Sequence, residues 1–120
     1  LLEASGQGVM IVIASGAGVV GPSSSLAYAA SKGGVNGLSM TLEAQFEPRG
    51  IRVNTLCPGN IVTEMKLAVE RQSAARRGLD MEAAVEAARK NYGTPEGVAK
   101  IIAFMLSDEA DYLRGTIFTR

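Results

Sequence analysis

Three short apolar segments stand out along the chain, separated by longer stretches with helical periodicity. Residues 9–14 form a continuous apolar run rich in β-branched side chains, and this pattern predicts a strand buried on both faces of a sheet. Residues 51–57 predict a second strand, which Pro58-Gly59 ends. Residues 116–119 predict the beginning of a third strand.

The segments between these strands predict helices. Residues 26–46 form the longest, and Pro48-Arg49-Gly50 ends it. After the second strand we expect helices over residues 63–77, 80–91 and 94–107. Each of these three starts at a side chain that caps helices well: Thr63, Asp80 and Thr94.

The long helix carries two different stripes. One is apolar and the other consists of small residues that would let a neighbouring element approach closely, so we expect this helix to be sandwiched between two partners. The apolar stripe contains Val35, Leu38 and Leu42, and the small-residue stripe contains Ala27, Ala30, Ser31 and Gly34.

The order strand, helix, strand, helices, strand predicts an α/β fold with a parallel sheet, because parallel neighbours need long crossovers. Three strands alone would leave sheet edges without partners. The chain opens on Leu1-Leu2-Glu3, which resembles the end of a helix, and stops inside the strand-like residues 118–120. We therefore expect the last three strands and flanking helices of a doubly wound domain.

Composition narrows the possible chemistry. Lys and Arg total 12 and Asp and Glu total 12, so nothing favours nucleic acid or an anionic membrane as partner. No apolar run approaches the length of a membrane span. Cys57 is the single cysteine and there is no histidine, which excludes Cys/His zinc sites and Ser-His-Asp catalysis and fits a reducing, cytoplasmic location. We expect no metal site, and acid–base chemistry must use Tyr, Lys, Asp or Glu.

Residues 16–21 match G-x-G-x-x-G, the pattern of a dinucleotide-binding loop. In such a loop the helix begins within the motif, so that its N-terminus meets the pyrophosphate. Here Pro22 and three serines extend a loop over residues 15–25, and the helix begins only near Leu26. A phosphate cradle is therefore the least favoured interpretation of these glycines.

Ser15, Tyr28 and Lys32 form a second candidate site. Tyr28 and Lys32 are four residues apart and share a helix face. A tyrosine with its usual pKa of about 10 is a poor base at neutral pH, and a nearby ammonium lowers that pKa. Ser15, after the first strand, could bind the same substrate oxygen. Taken one at a time, these residues also fit ordinary helix and turn chemistry.

The combination is more specific. "ASGAGVVGPSSSLAYAASKGGVNGL" places a serine 13 residues before Tyr-x-x-x-Lys and resembles the active-site segment of the short-chain dehydrogenase/reductase family. "GIRVNTLCPGNIVTEM" resembles the next strand and Pro-Gly cofactor loop of that family, and "GTPEGVAKIIAFMLSDEADYLRGTIF" its C-terminal helix and last strand. The resemblance covers nearly the whole chain.

The resemblance implies a partial Rossmann-type sheet in an enzyme that uses NAD or NADP. That enzyme would transfer hydride reversibly between the nicotinamide and a small-molecule alcohol or ketone. Tyr28 would be the general acid/base, Lys32 would lower its pKa and hold the nicotinamide ribose, and Ser15 would orient the substrate oxygen. Family members are usually dimers or tetramers, so a homodimer or homotetramer is implied.

The resemblance also implies a cofactor contact in the loop after the second strand. Pro58 and Gly59 would form its turn, Ile61 would reach the carboxamide through its backbone, and Thr63 would contact the cofactor through its hydroxyl. Residues 64–91 correspond to the region that shapes the substrate pocket of the family. Its apolar side chains hint at a lid: Met65, Leu67, Val69 and Leu79.

The first half of such a domain, with its nucleotide loop, is not in this chain. The favoured hypothesis is that residues 1–120 are the C-terminal half of a single-domain enzyme. A second hypothesis is a non-catalytic fragment or interaction module that cannot bind cofactor on its own. A third is a stand-alone phosphate-binding domain that uses residues 16–21.

Overall fold

The computed structural model describes residues 1–23 and 25–119, so Ser24 of the predicted loop and Arg120 lie outside the described residues. The strands are β1 (Gly8–Ile13), β2 (Ile51–Cys57) and β3 (Gly115–Phe118). The helices are α1 (Leu2–Ser5), α2 (Leu26–Phe46), α3 (Glu64–Arg76), α4 (Met81–Asn91) and α5 (Pro95–Leu106). Two short 3₁₀ helices, Glu47–Arg49 and Asp108–Ala110, precede β2 and β3.

The three strands form a parallel sheet in the order β1-β2-β3, which confirms the predicted α/β fold. β1 and β3 each begin and end one residue earlier than their predicted segments. The ladder nevertheless continues past both ends, because the Ala14 N–H donates to the Leu56 carbonyl (2.9 Å) and the Thr119 N–H donates to the Cys57 carbonyl (3.2 Å).

Burial differs between the strands. β2 lies in the centre, and all its residues are buried except the half-buried Arg52. β1 was expected to be buried on both faces, and in the described chain that expectation is wrong: Val9 to Val12 are half-buried and Ile13 is 43% exposed. The physical reason is that β1 is an edge strand of the described sheet.

Helices α2 and α5 lie on opposite faces of the sheet. Thr55 of β2 donates to the Ser39 hydroxyl of α2 (2.5 Å), whereas Arg52 donates to the carbonyls of Met105 and Ser107 at the end of α5 (3.2 and 2.9 Å). Residues three apart in a strand point to opposite faces. Because both crossovers step in the same direction across the sheet, they have opposite hands, and one departs from the right-handed rule.

Helix α2 has the predicted bounds, and the Ser25 hydroxyl caps it by accepting from the Tyr28 N–H (3.3 Å). One face packs on β2, with Ser39 buried there. The expectation that the helix is sandwiched is not met within the described chain, because the small-residue stripe is exposed and Leu38 is 55% exposed.

The three predicted caps are confirmed. Thr63, Asp80 and Thr94 each accept backbone N–H groups in the first turn of α3, α4 and α5. Gly78 has a φ of 66° and allows the chain to turn between α3 and α4. Helices α3 and α4 form a hairpin, which lies between β2 and α5 in the chain and follows the carboxyl end of the sheet.

Candidate active site

Tyr28 and Lys32 share a face of α2 near the carboxyl end of β1. The Lys32 Nζ donates to the Ile13 carbonyl (3.3 Å) and lies 6.0 Å from the centroid of the Tyr28 ring. Tyr28 is 42% exposed. Lys32 thus bridges the helix to the last residue of β1 and keeps an ammonium beside the phenol.

Ser15 follows that strand end by two residues. Its Oγ accepts from the Ala17 N–H (3.2 Å), which turns the chain sharply after β1. A hydroxyl has one donor hydrogen and two acceptor positions. Because Ser15 uses an acceptor position for the turn, its hydrogen can still be donated to a ligand oxygen.

Cys57, the last residue of β2, is affected by both Ser15 and Lys32. Burial raises the pKa of its thiol, while a hydrogen bond from the Ser15 backbone and the charge of Lys32 lower it. Both influences require Ser15 and Lys32 to lie close to the end of β2. Ser15 and Lys32 therefore lie near the point where β1 and β2 end side by side, and Tyr28 lies beside Lys32 on the same helix face.

The G-x-G-x-x-G loop turns its backbone inward. The N–H groups of Val19, Val20 and Gly21 all donate to the Gly16 carbonyl, at 3.3, 3.0 and 3.2 Å. The Gly18 N–H donates to the Gly21 carbonyl (2.8 Å). A phosphate cradle needs such N–H groups to point at the anion, so this geometry contradicts a phosphate site at residues 16–21.

The glycines instead allow the loop to approach α2 closely. Gly18 has a φ of 79°, and a Cβ there would lie 2.5 Å from the Ala29 carbonyl oxygen. A Cβ on Gly33 would lie 3.0 Å from the Gly18 carbonyl oxygen. The two glycines hold the loop against the first turns of the helix that carries Tyr28 and Lys32.

The loop of residues 58–63 follows β2 at the same sheet edge. The Gly59 N–H contacts the Thr119 hydroxyl (3.4 Å), and Ile61 forms an isolated bridge with Gly93. Thr63 accepts the Lys66 N–H (3.2 Å) and caps α3. The hydrogen bonds of this loop run to Thr119 just after β3, to Gly93 between α4 and α5, and to the first turn of α3, so it forms a second cluster beside the Ser15, Tyr28 and Lys32 cluster.

A polar network at the base of the α3–α4 hairpin was missed by the sequence reasoning. The Tyr92 hydroxyl donates to the Glu70 carboxylate (2.9 Å), and the Lys66 ammonium pairs with the same oxygen (2.9 Å). The spacing of Lys66 and Glu70 was a detectable signal, since residues four apart pair on a helix. Tyr92 lies beyond α4, so its partner could not be read from spacing.

The four apolar side chains expected in a lid differ in their burial. Leu67 is buried against Val85 and Ala88 in a core that α3 and α4 share. The other three are exposed, by 76% at Met65, 50% at Val69 and 51% at Leu79. The hairpin thus has its own core and presents an apolar outer surface.

A cavity of about 310 Å³ lies between the loop of residues 58–63 and the start of α5. Ile61, Gly93, Thr94 and Gly97 are among the residues that line it. Among residues 1–23 and 25–119, no group of three or more His, Cys, Asp or Glu could hold a metal ion. In the same residues, no helix combines the length and hydropathy needed to cross a membrane.

The three parallel strands and their flanking helices match those of solved reductase structures. The chain belongs to the short-chain dehydrogenase/reductase family, and the family model described as enoyl-(acyl carrier protein) reductase matches residues 1–119. The chain spans about half the length of the curated relatives it matches.

Two curated relatives illustrate the range of the family. Levodione reductase of Leifsonia aquatica is 34% identical over 98% of this chain and 45% of its own length. Inactive 2-(S)-hydroxypropyl-CoM dehydrogenase 2 of Xanthobacter autotrophicus is 36% identical over 93% of this chain and 49% of its own length. Among solved structures, an F189W actinorhodin polyketide ketoreductase with NADPH superposes with a TM-score of 0.83, at 29% identity over 97% of this chain and 47% of that one.

Proposed function

We propose that this chain is the C-terminal half of an NAD(P)-dependent oxidoreductase that interconverts an alcohol and a carbonyl compound. The observation that carries the proposal is the position of Lys32. Its Nζ donates to the Ile13 carbonyl and lies 6.0 Å from the centroid of the Tyr28 ring. A nicotinamide cofactor would supply or accept the hydride when bound. Tyr28 would give a proton to the substrate oxygen during reduction and take it back during oxidation.

Lys32 and Ser15 would support Tyr28 in different ways. The Lys32 ammonium has three N–H donors, of which one is used by the Ile13 carbonyl, so two can hold the hydroxyls of a ribose. Ser15 would donate its hydroxyl hydrogen to the same substrate oxygen and orient it. The donors present therefore suit a nicotinamide riboside.

The loop of residues 58–63 would form the other side of the cofactor site. We assign the turn to Pro58 and Gly59, a backbone contact with the carboxamide to Ile61, and a hydroxyl contact to Thr63. The two functions of Thr63 are compatible, because capping uses an acceptor position of the hydroxyl and leaves its hydrogen for the cofactor.

The parent enzyme would act in the cytoplasm on a small-molecule alcohol or ketone and would be a homodimer or homotetramer. The exposed side of α2, where Leu38 is 55% exposed and continues the exposed small-residue stripe, supports close packing of another chain there. The choice between NAD and NADP belongs to the half of the domain that this chain lacks.

Replacement of the proposed acid/base tests the mechanism. In the protein that carries both halves, Tyr28→Phe should lower kcat by about 10²- to 10⁴-fold, the usual contribution of general acid–base catalysis. The fold should be unchanged because the ring stays in place. Tyr112→Phe is the matched control, since Tyr112 is 99% exposed and lies outside the site. Near-normal turnover by Tyr28→Phe would refute the assignment.

A second candidate is a non-catalytic fragment or interaction module. Its support is that the chain spans about half of its relatives, one of which is itself named inactive. The 120-residue chain can be titrated into NADH and into NADPH while the fluorescence of the reduced nicotinamide is followed. We expect no saturable binding without the first half. Saturable binding by the chain alone would exclude this second candidate.

A further inference from the structure

The α3–α4 hairpin leaves and rejoins the rest of the molecule at one point. The Val62 N–H donates to the Gly93 carbonyl (2.8 Å), and the Gly93 N–H donates to the Asn60 carbonyl (2.9 Å). Val62 and Tyr92 both pack against the small core of the hairpin. Residues 62–93 thus form a unit that is closed at its base by two backbone hydrogen bonds, and one strand of that base is the loop of residues 58–63.

The side chain of Tyr92, next to this base, is fixed by polar contacts. The Tyr92 hydroxyl donates to Glu70 (2.9 Å), and the Lys66 ammonium binds the same oxygen and lies 5.4 Å from the Tyr92 ring centroid. The backbone N–H of Lys66 in turn reaches the Thr63 hydroxyl. One connected network therefore joins Tyr92 to the end of the loop.

We propose that Tyr92, gripped by the Glu70 carboxylate, is a positioning residue that fixes the loop of residues 58–63 through its neighbour Gly93. Both backbone groups of Gly93 are bonded to that loop, so a displacement of the Tyr92 backbone would also displace Gly93, the shared partner of Asn60 and Val62. The consequence for cofactor binding rests on the proposed function. The anchoring itself does not.

The charges in the network suit this function. Hydrogen bonding from Lys66 lowers the pKa of Glu70, while burial and Glu70 itself raise the pKa of Tyr92. At neutral pH the carboxylate is therefore charged and the phenol keeps its hydrogen. A hydrogen bond from a neutral donor to a charged acceptor is stronger than one between neutral groups.

Amide hydrogen exchange tests the anchoring directly. Tyr92→Phe keeps the ring in the hairpin core but removes the donor, and the N–H groups of Val62 and Gly93 should then exchange about three- to tenfold faster, as expected for loss of one such bond. The Ala14 N–H, which pairs β1 with β2, should keep its rate. Tyr112→Phe is the control and should change none of these rates.

A second pair of variants separates the hydrogen bond from the ion pair. Glu70→Gln keeps an acceptor for the phenol but removes the charge that strengthens the bond, so exchange at Val62 and Gly93 should accelerate less than in Tyr92→Phe. Glu70→Ala removes the acceptor and should reproduce Tyr92→Phe. Unchanged exchange in Tyr92→Phe, or equal acceleration at Ala14, would overturn the inference.

The functional consequence is measured separately in the protein that carries both halves. Tyr92→Phe should raise the KM for the nicotinamide cofactor severalfold and leave kcat near its wild-type value, because the Ser15, Tyr28 and Lys32 cluster is untouched. Faster exchange without a change in this KM would support the anchoring and refute the cofactor function of the loop. Unchanged exchange refutes the anchoring and leaves the proposed function standing.

Discussion

The loops that follow β1 and β2 contain glycine and leave the same edge of one parallel sheet, yet they use their backbones in opposite ways. In residues 16–21, three N–H groups converge on the Gly16 carbonyl within the loop itself. In residues 58–63, Val62 and Gly59 donate instead to Gly93 and Thr119, which lie far along the chain. The first loop is closed on itself, whereas the second connects distant elements.

This difference explains why a glycine pattern alone is a poor guide to phosphate binding. An anion site requires N–H groups that point out of the loop. The first loop matches the spacing of a dinucleotide fingerprint, but its N–H groups are satisfied internally and its helix begins only at Leu26. Its glycines serve close packing on α2, where Gly18 lies against Ala29.

Gly18→Ala is the strongest way to break the first loop. The left-handed φ of 79° disfavours any Cβ, and the new atom would lie 2.5 Å from the Ala29 carbonyl oxygen. We expect a loss of about 2 kcal/mol or more in the free energy of unfolding, measured by denaturant titration.

The matched control for that substitution is Gly21→Ala in the same loop. A Cβ on Gly21 meets no atom within 4 Å, and its φ is not positive. The expected change is within about 0.5 kcal/mol. Equal losses for the two variants would show that the glycines are required for something other than packing on α2.

Thr63 offers a milder test in the second loop. Thr63→Ala removes the cap of α3 and should lower the free energy of unfolding by about 1 kcal/mol, whereas Thr63→Ser and Thr63→Asp both cap helices well and should restore it. If the hydroxyl also donates to the cofactor, only Thr63→Ser should restore the cofactor KM, since an aspartate has no hydrogen to donate at neutral pH. Restoration of the cofactor KM by Thr63→Asp would mean that Thr63 acts only as a helix cap.

The contrast between the loops also shows which features could be predicted from the sequence. The bounds of α2 and the caps were predicted because they depend on neighbouring residues, and the family resemblance drew attention to Ser15, Tyr28 and Lys32. The bond from Lys32 to the Ile13 carbonyl crosses 19 residues, and the contacts of Arg52 with the end of α5 cross more than 50. Such contacts, like the opposite hands of the crossovers, follow from packing that no local pattern encodes.

The smallest expected effect is a pH dependence of stability, which arises from Glu70 and Tyr92 beside the second loop. Hydrogen bonding from Lys66, against burial, lowers the pKa of Glu70 from its usual 4.5, so its contribution to stability is complete above that value and is lost as pH falls through the lowered pKa. Burial, then Glu70, raise the pKa of Tyr92 from its usual 10.0, so its contribution is complete below 10.0 and is lost as pH rises through the raised pKa. The pair should stabilise the hairpin fully between about pH 5.5 and pH 9.

Tyr92→Phe isolates this contribution when unfolding free energies are compared with those of Tyr112→Phe across that range. We expect a difference of about 1 kcal/mol at neutral pH, as for one hydrogen bond, which shrinks above pH 10 because phenylalanine has no proton to lose. It should also shrink at acid pH, once Glu70 is protonated and its charge no longer strengthens the bond. The absence of any difference across this pH range would mean that Tyr92 acts only through the packing of its ring, which phenylalanine keeps, and that its hydroxyl does not help to hold the second loop.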